Sequence, residues 1–182
     1  MSKSTNFFRI VLIVVAWIIF AGLGIEAGAL ITSTIATLLY TPEGATRFWT
    51  EVDLSKLYHF NQARYVTLTS IMVIGAILKT LMFYFIVKIS HDKRLNLSKP
   101  FTDVLMRFVS ILAWFAFGIG IFSLWGAKLV GQLAKEGVEL PDIQKLRLAG
   151  ADVWLFMGVT LLIIAFILKK GIEIQNENDL TV

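Results

Sequence analysis

No cysteine occurs in the 182 residues, which excludes disulfide scaffolds, thiolate metal sites and cysteine nucleophiles. Proline is nearly absent, with three in the chain, so long helices can run without interruption. Charge is sparse as well. Asp, Glu, Lys and Arg make up 16% of residues, 57% are hydrophobic, and the mean hydropathy is +0.74. A soluble chain of this length carries closer to a quarter charged residues. The net charge of +4 is dispersed through the polar segments and forms no basic block, so direct nucleic-acid binding is not expected. What is abundant is Phe (14), with Trp frequent (5), which suits lipid contact and interfacial anchoring. The expected class is an all-α integral membrane protein.

One polar stretch, residues 88–107, organises the rest. It carries five Lys/Arg against two Asp (Lys88, Lys93, Arg94, Lys99 and Arg107; Asp92 and Asp103) and separates two long apolar runs. A spanning helix needs ~20 mostly apolar residues, and four segments qualify or nearly qualify: about 10–32, 65–87, 105–125 and 152–169. The first apolar run continues past Glu26 to Tyr40, far beyond the length of a signal-peptide core, so it reads as a transmembrane helix. The fourth has only 16 uncharged residues, Val153 to Leu168; Trp154 and snorkelling Lys169 and Lys170 are expected to complete it. These four spans form one domain, 1–182, with 171–182 as a tail.

Four spans put both termini on one side. The basic 88–107 stretch joins Lys3, Arg9, Lys169 and Lys170 there, whereas the two long loops mix their cations with acids. The positive-inside rule therefore places the termini and the central loop in the cytoplasm, with the four spans as two hairpins. In the first outer loop, Thr41-Pro42-Glu43 has the form of a helix start and Asp53 that of a second cap. Phe48, Trp49, Leu54, Leu57, Tyr58 and Phe60 are expected to lie against the membrane interface. In the second, Asp142 is a candidate cap for a helical stretch placing Ile143, Leu146 and Ala149 or Gly150 on one face. Thr102 or Asp103 caps the third span, and Gly171 is a natural stop for the fourth.

Glu26 and Lys79 are the two charges well inside apolar runs, and an intramembrane charge is a candidate functional residue. A proton-linked pair in a transport path is the sharper reading. Counting from Arg9 and from Lys88, however, puts Glu26 ~25 Å and Lys79 ~13 Å above the cytoplasmic edge. The favoured expectation is that Glu26 lies at the outer headgroup level and Lys79 pairs inside the bundle or across an oligomer. Gly22, Gly24 and Gly28, and Gly118 and Gly120, are small-residue positions suited to close helix packing. His59 and His91 fall on opposite sides of the membrane and cannot share a metal. No zinc spacing, phosphate-cradling glycine loop or Ser-His-Asp set occurs, so neither an enzyme nor a cofactor is expected. Gly75, Leu78 and Phe83 match Gly158, Leu161 and Phe166 at one offset, a faint echo of a duplication.

The tail from Lys169 through Gly171-Ile-Glu-Ile-Gln-Asn-Glu-Asn-Asp-Leu-Thr-Val182, with Lys99-Pro100-Phe101-Thr102 before the third span, carries a resemblance. Both resemble the bacterial four-helix membrane family catalogued as domain-of-unknown-function family 2975. Its members share a Pro-Phe-Ser/Thr element leading into the third helix and a closing Gly-x-Glu-Leu-Gln-x-Glu-Asn-Asp-Leu-Thr-Val pattern. Here Ile174 replaces the usual Leu and Asn176 a commoner acid. The resemblance implies a membrane partner of a small helix-turn-helix regulator, since such proteins are often encoded beside family members. Lys93, Arg94, Lys99, Pro100 and Phe101 of the central loop, and Glu173, Glu177 and Asp179 of the tail, would then form the cytoplasmic partner surface. The alternatives are an accessory subunit of a larger membrane complex, alone or as a homo-oligomer among membrane lipid, and a small transporter or channel.

Overall fold

The computed structural model describes residues 3–40, 52–91 and 102–180, and over them the chain is all α. Its helices are α1 (Lys3–Leu39), α2 (Ser55–Phe60), α3 (Gln62–Ser90), α4 (Asp103–Lys135) and α5 (Ala151–Leu180). All three prolines, Pro42, Pro100 and Pro141, fall between helices. With none inside, every amide of the apolar runs can bond within its own helix, as a hydrocarbon environment demands. The four long helices have 37, 29, 33 and 30 residues, or about 43–55 Å at 1.5 Å per residue. Each is long and apolar enough to cross a membrane, over Ile10–Leu39, Gln62–Ser90, Asp103–Lys135 and Ala151–Glu177.

Each helix outruns the span expected from hydropathy, and the local reasons differ. Asn61 caps α3, its side chain accepting from the Arg64 N–H at 3.1 Å. Thr102 caps α4 in the same way, accepting from Leu105 N–H at 3.3 Å. α4 continues ten residues past Trp125 because its polar end still presents Val130 and Leu133 to a core. Gly171 does not stop α5. The helix passes through it to Leu180, with Lys170 and Glu173 paired one turn apart at 2.6 Å.

The helices form an open row rather than a closed bundle. α1 packs on α3, α3 on α4 and α4 most extensively on α5; α2 sits on α3, and among the described residues the backbones of no other two helices approach closely, although the Lys79 side chain of α3 reaches Trp154 of α5. Neighbours run antiparallel. Trp17 meets His91 edge-on at 6.3 Å and the Thr80 hydroxyl donates to the Leu23 carbonyl at 3.1 Å, which sets the α1–α3 register. Gly120 meets Leu155 and Gly158 meets Phe117, which sets that of α4 and α5. The two halves differ at the residues that hinted at a repeat: a Cβ on Gly75 would meet nothing within 4 Å, whereas one on Gly158 would lie 3.0 Å from Phe117.

The main core is at one end of the row. Leu30 of α1, Leu57 of α2, Tyr65, Leu68 and Ile71 of α3, Leu133 of α4, and Leu146 and Leu148 of the following loop pack into one cluster. Leu54 and Leu57, expected to lie against a membrane interface, are fully buried in it, while Phe60 is exposed. The helix extensions explain the difference: they raise a wall of apolar side chains that Leu54 and Leu57 close. Phe48, Trp49 and the Thr41-Pro42-Glu43 start lie outside the described residues. Asp53 accepts from Ser55 N–H at 2.8 Å, so its carboxylate fixes the first residue of α2. Asp142 accepts from Gln144 N–H at 3.3 Å, but the stretch after it is a turn, not a helix. Arg147 (φ 59°) and Gly150 (φ 77°) both enter the left-handed region, which a right-handed helix excludes.

Candidate functional site

Where the 136–150 loop returns towards α5, it delivers Arg147 to the charges of α1 and α3. Arg147 Nε forms an ion pair with Glu26 Oε1 at 3.0 Å. The Lys79 ammonium donates to the carbonyl oxygen of the same Arg147 at 3.2 Å and lies 6.0 Å from the centre of the Trp154 ring. One loop residue thus satisfies an anion with its side chain and a cation with its backbone. Glu26 is enclosed on α1 with 19% of its side chain exposed; Arg147 is 57% exposed. The left-handed backbone at Arg147 costs about 1–3 kcal/mol for a residue with a side chain, and it is what turns the carbonyl to Lys79 while the guanidinium reaches Glu26.

The heights deduced from the sequence change accordingly. Glu26 and Lys79 lie at one level, because Thr80 meets Leu23, one turn from Glu26. The count from Arg9 and Lys88 assumed that these residues share a plane. In the structure Trp17, eight residues past Arg9, faces His91, and eight residues are ~12 Å of helix. His91 is itself three residues past Lys88, so Arg9 and Lys88 are offset by about 16 Å, enough to remove the inferred height difference. Glu26 takes its ion pair from Arg147 of the loop between α4 and α5.

The glycines divide. A Cβ on Gly120 would fall 2.7 Å from Leu155 Cγ, and one on Gly118 3.3 Å from Leu78 Cδ1, so both mark tight approaches. Gly126, not singled out in the sequence, is as tight against Leu148, at 2.8 Å. At Gly22, Gly24 and Gly28 a Cβ would meet nothing within 4 Å, so these three mediate no close approach among the described residues.

At the α2 end, two ion pairs tie the start of the second half to the first: Lys56 with Glu139, and Arg64 with Glu136 at 2.5 Å. The hydrogen bond from Lys56, and then its charge, hold the Glu139 carboxyl below the usual range and raise Lys56 in turn. Asp53 is lowered by the Ser55 hydroxyl and N–H that it accepts. At the other end, Glu173 pairs with Lys170 and Glu177 is exposed on α5. Asp179 is in the last turn of α5, its side chain outside the described residues, as are Lys93, Arg94, Lys99, Pro100 and Phe101. His59 stacks edge-on against Tyr58 at 5.9 Å, and the His91 ring lies 2.9 Å from the Val87 carbonyl. Among the described residues no three His, Asp or Glu side chains gather as a metal site.

Four membrane-length apolar helices and a charge cluster at one level define a multi-pass α-helical membrane protein. The chain belongs to the family described as protein of unknown function DUF2975, whose profile matches residues 41–182. A search of curated proteins found no match, and neither did one of solved structures.

Proposed function

We propose that the chain is a non-enzymatic, regulatory protein of the bacterial cytoplasmic membrane. Its termini and the 92–101 loop are cytoplasmic, and its α2 end, with the core and the Glu26–Arg147–Lys79 cluster, faces outward. The observation that carries this reading is the continuity of α5. One unbroken 30-residue helix begins beside Lys79 and Arg147 and ends in the acidic tail, a rigid member ~45 Å long. A displacement of the outer loop moves Trp154 and, through the helix, Glu173 and Glu177. The cytoplasmic partner is a small helix-turn-helix regulator, held by this tail and the basic central loop (Lys93, Arg94, Lys99, Pro100, Phe101) without direct contact of this chain with DNA.

The test is an affinity pull-down in gentle detergent from native membranes, comparing the full chain with one truncated before Gly171. Recovery of a soluble helix-turn-helix protein by the full chain alone supports the reading. Recovery of the same proteins by both would refute the tail's role. A second reading, an accessory subunit of a membrane complex or homo-oligomer, is favoured by the open row: α1 and α5 each pack on a single long helix. Its signature is co-purification of other membrane subunits, or of a second copy, regardless of the tail. A transporter is the weakest of the three, because the charges that would line its path are engaged with the Arg147 loop residue.

A further inference from the structure

A furrow opens between α3 and α4 at the end opposite α2. Its walls are Phe85 and Ile89 of α3 and Val104, Phe108 and Ile111 of α4, and Lys88 forms its polar rim. The free volume is about 160 Å³. Val104, Phe108 and Ile111 recur at helical spacing, and Phe85 is backed by Phe115 at 5.6 Å, so the floor is continuous and apolar. Lys88 bends its ammonium over this floor, 5.9 Å from the Phe85 ring centre, and makes no ion pair with a described carboxylate. Arg107 lies three residues after Val104 and four before Ile111, on the same side of α4 by register. The furrow also ends at the first turn of α4, where the N–H groups of a 33-residue helix add positive potential. Asp103 is the one described carboxylate in that turn, and it is exposed.

An apolar slot with two cations and a helix N-terminus at its mouth has the form of a diacyl lipid bearing a negative headgroup. We propose that this furrow holds one acidic glycerophospholipid, an acyl chain between Phe85, Val104, Phe108 and Ile111 and the headgroup phosphate at Lys88 and Arg107. A zwitterionic lipid fills the same slot but cancels its phosphate with its own ammonium, so the charges distinguish the two. The assignment stands independently of the regulatory reading, which concerns the tail and central loop.

The experiment is native mass spectrometry of the full chain in mild detergent, titrated with dioleoyl phosphatidylglycerol or dioleoyl phosphatidylcholine. The expected result is one phosphatidylglycerol retained at collision energies that strip phosphatidylcholine. Retention should fall about tenfold or more in Lys88→Gln/Arg107→Gln. It should also fall in Val104→Trp, which fills the slot and keeps both charges. Lys128→Gln, an exposed cation on α4 far from the furrow, should retain lipid as the wild type does. Lys88 and Arg107 are themselves exposed, so the double variant folds. Equal retention of the two lipids, full retention in either furrow variant, or an equal loss in Lys128→Gln would each overturn the proposal.

Discussion

Replacing Glu26 with Gln removes the only carboxylate from a group that otherwise holds two cations, Arg147 and Lys79. The size of the effect follows from exposure. A fully exposed pair contributes ~0–1 kcal/mol, whereas stripping one partner from a buried pair costs ~3–5 kcal/mol. Here Glu26 is 19% and Arg147 57% exposed; water still reaches the guanidinium, which lowers the figure. The pair lies between these two limits, and about 2 kcal/mol is the expected loss. At ~2–4 °C per kcal/mol for a chain of this size, the melting temperature falls about 4–8 °C. The assay is thermal unfolding in mild detergent, followed by circular dichroism, for Glu26→Gln, Arg147→Gln and both together. Gln at position 147 keeps the cost of the left-handed backbone unchanged, so the cycle isolates the ion pair. A coupling of ~1–2 kcal/mol is expected; one under ~0.5 kcal/mol would refute the reasoning, since that is the level of independent sites. Lys79→Met adds a second check. It should cost less in the Glu26→Gln background than in the wild type, because there it relieves the repulsion of two unpaired cations.

Gly120→Val should destabilise the chain by about 1–3 kcal/mol through its overlap with Leu155, read in the same melts. Gly24→Ala and Gly28→Ala have open space around the added methyl and should be neutral or stabilise α1 by up to ~1 kcal/mol; a change in oligomer size by light scattering would assign them to an interface between copies. Leu146→Ala, at a fully buried position, should cost ~2–5 kcal/mol and release Arg147 from Glu26, which hydrogen exchange over 136–150 would register. Acid should weaken the α2 end. Glu139 and Asp53 sit below the usual carboxylate range in the folded chain, so their stabilising contribution is present at neutral pH and lost as pH falls through those depressed values. Lys56 is raised, so its share is full below the usual lysine range and lost only in strong alkali. Proteolysis of the 52–61 segment against pH measures it, with Lys56→Met as the control that removes the Glu139 share of the acid limb and leaves that of Asp53.

The membrane helices were legible because their cause is local. An apolar run without proline is a helix in lipid whatever surrounds it, and Thr102 announces the start of α4 from one hydroxyl. The ends of α4 and α5 were not legible. Val130 and Leu133 extend α4 only because Leu146 and Leu148 return to cover them, and that contact is invisible in either segment alone. Leu54 and Leu57 looked interfacial for the same reason: among charged neighbours, their burial depends on walls built from residues far away in sequence. Glu26 and Lys79 could be named as candidates from hydropathy, but their relative height needed the register of α1 on α3. Arg147 gave no signal beyond being a cation in a loop. A membrane carboxylate in need of a partner was the clue, and four cations of the polar segment from Lys128 to Arg147 met that description equally well.

The position of the core bears on how such a chain can act. Its largest buried cluster joins the C-terminal part of α1, α2, the first half of α3, the end of α4 and the 138–148 loop, so that end behaves as one packed unit. α5 is not part of the cluster. It leaves from the loop just past Leu148 and packs along α4, touching α3 through Trp154 beside Lys79. At the junction of the unit with α5 stand two left-handed residues, Arg147 just before Leu148 and Gly150 just after it. The Glu26 pair and the Lys79 bond both act on the first of these. A perturbation of that cluster is therefore directed to the joint from which α5 starts, while the core on one side and the helix on the other remain stiff. If the joint works in this way, Gly150→Ala, which disfavours its φ of 77°, should alter exchange along the first turns of α5 and leave Leu30 and Leu68 protected. Loss of protection throughout the core instead would show that the joint and the core unfold as one, and that α5 carries no independent motion.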